Sequence, residues 1–224
     1  MSAVEPPVGA IRHRNESLIL EAAEEVFANH GYRGASLQVI ADAAGLPKSN
    51  ILYYFGNKRG LYVTLLERTM TRWNALLDDV SSDDDPAEVL SRFIHTKMEL
   101  TRCYPRASRL FANEILHGAP HLQTYLRGAL RTWVRAKANI FQQWIDAGRM
   151  DDDVDPVALI FLIWSATQHY ADFEAQVMAI TGQDAIGEED HQRTTDFLCH
   201  MILKGCGLEA TASLDIKQRS RQVL

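Results

Sequence analysis

Between Ser36 and Lys58 the chain gathers side chains that donate and accept hydrogen bonds or carry positive charge: Ser36, Lys48, Ser49, Asn50, Tyr53, Tyr54 and Lys58. Lys48 suits a guanine edge or a phosphate. Ser49 and Asn50 each present a donor and an acceptor, and the Tyr53 and Tyr54 hydroxyls suit phosphate oxygens. This is the chemistry of reading a nucleic-acid groove; the same residues also suit the solvated face of an ordinary helical hairpin. A second set lies in Asp155–Phe173, where Ile160, Phe161, Trp164, Thr167, Gln168 and Ala171 share one helical face at 100° per residue. Gln168 offers a donor beside an acceptor, the complement of a cyclic imide or amide edge, and Trp164 offers a flat stacking surface one turn earlier. Together they suit a small planar polar ring such as a nucleobase. They also suit a glutamine bonded to a neighbouring side chain beside a core tryptophan.

Other reactive residues make weaker patterns. His117 and His121 are four apart, but Gly118 and Pro120 break the helix that would bring them together. Cys199, His200 and Cys206 have zinc-like composition without a fourth ligand at usable spacing. The Asp83–Asp85 and Asp151–Asp153 runs read as inter-helix loops that load negative charge at helix starts. There is no Gly-rich phosphate loop, nucleophile elbow or H-E-x-x-H, so no enzyme activity, cofactor or metal is expected. The three cysteines suggest reduced thiols in a cytoplasm. The opening MSAVEPPVGAIRHRN lacks the apolar segment of a secretory signal, and the apolar run Val157–Ala166 is too short for a bilayer.

Helices must position these groups. Pro47, Pro86, Pro105, Pro120 and Pro156 each precede a stretch of helical periodicity, as suits a residue with preset φ and no N–H to leave unbonded. Asp85 and Asp155 stand where N-cap carboxylates belong, and glycines such as Gly31, Gly45, Gly148 and Gly182 fall at the opposite ends. Leu18, Ile19, Ala22, Ala23, Val26 and Phe27 form one stripe; Leu61, Leu65, Thr69, Trp73 and Leu77 form another. The expected fold is all-α with nine helices, at 15–30, 37–44, 48–54, 58–80, 86–103, 106–117, 121–147, 156–180 and 189–205. Residues 12–56 are expected as a three-helix DNA-binding domain, 57–207 as a ligand-binding and dimerisation domain, and 1–11 and 208–224 as flexible ends. Within the first domain Ser36 caps a short helix and Leu37, Ile40 and Ala41 face inward. Gly45 and Leu46 make the turn, and Pro47 opens a second helix anchored by Ile51, Leu52 and Phe55. This is a helix-turn-helix. Asn57 caps the next helix, whose N-terminus with Lys58 forms a further phosphate site.

These residues carry a resemblance. F-A-N-H-G-Y-R-G-A-S, I-A-D-A-A-G-L and L-Y-Y-F-G-N-K-R-G-L-Y, within Leu18–Leu66, resemble the TetR family of bacterial transcription regulators. The resemblance implies a homodimer that reads palindromic operator DNA and answers a small effector, with Ser36, Lys48, Ser49, Asn50, Tyr53, Tyr54 and Lys58 facing DNA. It continues into the body at Cys103–Phe111, Glu114–Pro120, Leu159–Val177 and Thr181-Gly182, where it is to a pyrimidine-responsive branch of the family. That implies control of pyrimidine catabolism genes by uracil, thymine or a related effector, with Trp73, Phe111, Trp164 and Gln168 at the pocket. A hydrophobic or drug-like effector is the alternative. Ligand at Trp73, on the long helix linking the two domains, would tilt the DNA-binding part and alter half-site spacing. A second face of the 156–180 helix (His169, Asp172, Phe173, Gln176), with Phe197 and Met201 near the end, is the expected dimer interface; the internal packing face of a monomer is the other reading.

Charge seems at first to oppose this reading. The 224 residues carry 23 Lys and Arg against 29 Asp and Glu, a net −6. Yet residues 31–60 hold Arg33, Lys48, Lys58 and Arg59 against Asp42, a local +3 that leaves −9 elsewhere. A mildly basic segment on an acidic chain binds DNA through few phosphate contacts, in one pose.

Overall fold

The computed structural model describes residues 8–209, and among them every regular element is a helix. The stripe from Ile19 to Phe27 buries its apolar side in α1, Val8–Gly34, which starts earlier than expected. Residues 8–11, expected as part of a loose arm, are its first turn; Leu208, expected as the start of a loose tail, bonds its N–H to the Leu203 carbonyl at 2.9 Å and packs on the core, and the expected flexible residues 1–7 and 210–224 lie outside the described ones. At Gly31 (φ 66°, ψ 172°) α1 leaves helical geometry before one last turn. A β-carbon disfavours that left-handed φ, so glycine suits the bend.

Two helices of eight residues follow, α2 at Leu37–Ala44 and α3 at Lys48–Phe55, and both pack against α1. Ser36 Oγ accepts the Val39 N–H at 3.2 Å, satisfying one of the donors that every helix start leaves open. Gly45, at φ 64°, closes α2 in the left-handed conformation, and Leu46 N–H bonds back to the Ala41 carbonyl at 3.1 Å. Ile40 and Ile51 are fully buried behind that turn.

α4 spans Lys58–Asn74 and gives way to a 3-10 turn at Ala75–Leu77, earlier than the expected end at 80. α5 is Pro86–Cys103 and α6 is Pro105–Leu116. The expected helix 121–147 divides into a short α7 at Gln123–Tyr125, a π-helical turn at Leu126–Leu130 and α8 at Arg131–Asp146. The expected helix 156–180 breaks at Phe173 (φ −116°, ψ 29°) into α9, Pro156–Asp172, and α10, Glu174–Thr181. α11 is Glu188–Gly205.

The chain resolves into two compact units, residues 1–71 with 109–122, and residues 72–108 with 123–224. In the second, α5 is central, packed on α9 and α11, with α8 on α9. Leu90, Phe93 and Ile94 meet Phe141, Trp144, Ile160, Ile163, Ile202 and Leu203 in one buried cluster, where Cys199 and Cys206 also pack. The Asp85 carboxylate, the last of the first acidic run, accepts the Glu88 N–H at 2.9 Å, and Asp155, two residues past the second run, accepts the Val157 and Ala158 N–H groups at 2.8 and 2.9 Å. The 78–84 loop is pinned by donors onto its oxygens. Trp144 Nε1 and Arg149 reach the Ser82 carbonyl at 3.0 and 2.7 Å, and Trp133 Nε1 reaches the Asp78 carboxylate at 3.1 Å. No helix among the described residues is long and apolar enough to cross a membrane, and no group of three metal-ligating side chains is found there.

Candidate nucleic-acid interface and effector site

The α2–α3 hairpin lies in the first unit. Lys48 and Ser49 are exposed at the start of α3, Asn50 is half-buried beside them, and Tyr53 is 78% exposed one turn on. A positive charge, two groups of mixed donor and acceptor character and a phenol therefore stand at the N-terminal part of one helix, the part that meets base edges in helix-turn-helix proteins. Leu52, expected as an anchor, is 43% exposed, leaving Ile51 as the buried residue of α3. Tyr54 points back to α1: Asn15 Nδ2 donates to its hydroxyl at 3.4 Å and the Arg12 guanidinium lies 5.9 Å from its ring centre.

Lys58 does not project outward as expected. Its ammonium donates to the Ala35 carbonyl at 2.6 Å and lies 4.7 Å from the Tyr32 ring centre, so it bonds the carbonyls that precede α2. Asn57 caps as expected, its Oδ1 accepting the Gly60 N–H at 2.9 Å. Gly60 is required there, because a β-carbon would run into the Phe55 carbonyl oxygen.

Trp73, Trp164 and Gln168 all fall in the second unit, and Phe111 falls in the first. Trp164 is half-buried, stacked on Trp133 at 6.3 Å between centres and 26° between planes. Phe161, grouped with it by helical spacing, is 53% exposed instead. Thr167 is buried, with its hydroxyl bonded to the Ile163 carbonyl at 2.7 Å. Gln168 is half-buried, and its amide has no hydrogen bond among the described residues. The alternative of a glutamine satisfied by a neighbouring side chain thus finds no partner. Trp73 is buried, with the Lys97 ammonium 4.3 Å from its ring centre. Lys97 itself is 1% exposed, and burial pushes its pKa down to about 7 against a partial upward pull from the Asp172 charge. Sequence reasoning missed this residue. Its signal was a lysine within the apolar stripe of Phe93, Ile94 and Met98.

Of the residues expected at a dimer face, His169, Phe173, Gln176, Phe197 and Met201 are exposed, and Leu162 joins them. Asp172 differs: it is half-buried and accepts the Ser108 hydroxyl at 2.6 Å within the same unit.

Comparison with known proteins decides the family. Residues 19–65 match the model of bacterial regulatory proteins of the tetR family, and residues 66–209 match that of the YcdC-like protein C-terminal region. The chain belongs to the TetR family. This TetR-type transcription regulator is 39% identical over 187 residues to the regulator RutR of Escherichia coli strain K12, covering 84% of this chain and 88% of RutR. Solved TetR-fold neighbours include regulator SCO4942 of Streptomyces coelicolor (TM-score 0.65, 24% identity, 83% of this chain and 96% of that one). The ketosteroid regulator KstR2 of Mycobacterium tuberculosis is another (TM-score 0.64, 19% identity, 85% and 94%). Proteins of this family regulate transcription and are not enzymes.

Proposed function

We propose that this regulator controls pyrimidine catabolism genes as a cytoplasmic homodimer and responds to uracil, thymine or a close relative. Lys48, Ser49, Asn50 and Tyr53 read the operator, while Ser36, Tyr54 and Lys58 hold α2 and α3 in place. The effector sits in the second unit with its imide edge on Gln168 and its ring beside Trp164, and Trp73 lies over Lys97; Phe111, expected at the pocket, falls in the first unit. The carrying observation is the half-buried Gln168 amide, one turn from Trp164 and without a protein partner. The Gln168 amide is open to solvent and presents a donor beside an acceptor, the complement of an imide's paired N–H and C=O. The 39% identity to RutR over 187 residues supports this reading. The polar edge disfavours a wholly apolar ligand. Two copies pair through the exposed faces of α9 and α11, and each dimer presents two copies of α3 to a palindrome.

A thermal-shift and operator-binding experiment with a pyrimidine panel tests this. Uracil or thymine should raise the melting temperature and weaken operator binding. Gln168→Ala should lose at least tenfold in uracil affinity while operator binding without ligand is unchanged. A panel that leaves melting and DNA binding unmoved rejects the pyrimidine effector.

A further inference from the structure

The first unit contains a cavity of about 560 Å³ that none of the DNA or effector residues lines. Ligand sites commonly measure about 300–1,000 Å³. One wall is aromatic: Phe27 and Tyr32 from α1 and Tyr62 from α4, with Tyr32 and Tyr62 centred 4.8 Å apart and Phe27 edge-on to Tyr62 at 4.9 Å. The departure of α1 from helical geometry at Gly31 gives Tyr32 its place in that wall.

The floor is a carboxylate. Glu114 is 4% exposed; its Oε1 accepts the His121 backbone N–H at 2.6 Å, and its Oε2 accepts the Tyr62 hydroxyl at 3.3 Å and lies 3.2 Å from His121 Nδ1. Burial and the Glu114 charge push the Tyr62 phenol upward, so it stays a donor. Groups of the chain itself thus compensate the one buried negative charge, and the floor does not call for a cationic ligand. The mouth is different. Arg33 and His30 line it and are exposed, and neither side chain has a hydrogen bond or ion pair among the described residues. The exposed side chain of Asn113 stands beside them.

An aromatic wall beside an exposed guanidinium and an exposed imidazole has a definite complement. We propose that this cavity binds an aromatic carboxylate, with the ring against Tyr32 and Tyr62 and the carboxylate on Arg33 and His30. A guanidinium forks onto a carboxylate with two N–H groups, and aromatic faces favour a planar ring. The site is separate from the pyrimidine site and does not depend on it.

Calorimetry on the full-length protein without DNA tests it, using benzoate, its neutral analogue benzamide and the cation benzylamine. Benzoate should bind at one site per chain, at least tenfold tighter than the other two. Arg33→Ala should weaken it at least tenfold, and His30→Ala severalfold. Both side chains are exposed, so thermal melts of the variants should match the parent. Gln168→Ala should leave benzoate binding unchanged. The proposal is overturned if benzoate fails to bind at millimolar concentration, if benzylamine binds as tightly, if the folded Arg33→Ala and His30→Ala variants bind normally, or if Gln168→Ala abolishes benzoate binding.

Discussion

Lys97 is a lysine in the middle of a hydrophobic cluster, and its protonation sets a pH dependence. Its folded pKa lies near 7, below the ordinary value of 10.5. Between those values the unfolded chain holds a proton that the folded chain has released. Stability from this group therefore rises as pH climbs from about 7 toward 10.5, and below 7 the folded protein carries the full penalty of a buried charge. Replacing a buried charge by an apolar residue of similar shape often stabilises by about 1–4 kcal/mol. Lys97→Met should gain on that order at pH 6 and clearly less at pH 9, read from urea melts at both. An equal gain at both pH values would assign the benefit to packing alone. Lys48 is the opposite case, exposed at the start of α3. Lys48→Ala should weaken operator binding by about 1–3 kcal/mol and shift stability by less than about 0.5 kcal/mol. A large fall in melting temperature would show that the lysine is structural. Residue roles were legible where they rest on near neighbours in sequence: the Ser36, Asn57, Asp85 and Asp155 caps all reach two or three positions along the chain. The Lys58 contact was not legible, because its partner, the Ala35 carbonyl, lies 23 positions away.

At the scale of elements, α2, α3, α5 and α11 are within a residue of their expected bounds because prolines, glycines and capping side chains mark their ends. The break at Phe173 had no such mark. No proline or glycine stands there; α9 ends beside Asp172, whose carboxylate is drawn to Ser108 64 positions away, while the Phe173 ring stacks on His169 at 5.1 Å. The π turn at Leu126–Leu130 contains Gly128, which a helical pattern absorbs without comment. The Glu114 cavity was equally unreadable, since α1, α4 and α6 meet only in three dimensions. The α3–α4 junction yields a sharp expectation. Gly60→Ala should cost at least about 2 kcal/mol, because the new methyl group meets backbone and not a side chain that can swing aside. Operator binding should fall with it, while uracil binding to the folded fraction is retained. A normal melting temperature would mean that α4 can shift its start.

On the scale of the whole molecule, charge is partitioned: +3 over residues 31–60, which hold the helix-turn-helix, and −9 over the rest. Acidic regions repel DNA, so nonspecific affinity should be poor and the salt dependence of operator binding modest, a slope of only a few contacts per subunit. Titrations at 50, 100 and 200 mM salt measure that slope; a value near ten would place many more cations on the backbone. Phe161 and Leu162 on α9, Phe173 at its end, and Phe197 and Met201 on α11 are all exposed, and the proposed pairing covers them. Met201→Glu should convert a dimer to a monomer in sedimentation and abolish operator binding without unfolding the chain. A parent protein that sediments as a monomer at micromolar concentration would defeat the pairing model.

The division of the chain into units has a practical consequence for recombination. The helix-turn-helix keeps company with residues 109–122, which arrive from beyond the start of the second unit and supply Glu114 and His121 to Tyr62. The DNA-reading part is therefore not a cassette with one cut point. A chimera joined once near residue 71 would pair the Tyr32 and Tyr62 rings with a foreign α6 end. One that carries residues 109–122 along with the N-terminal segment keeps that partnership, and specificity grafts between members of this family should succeed or fail on that second, easily overlooked piece.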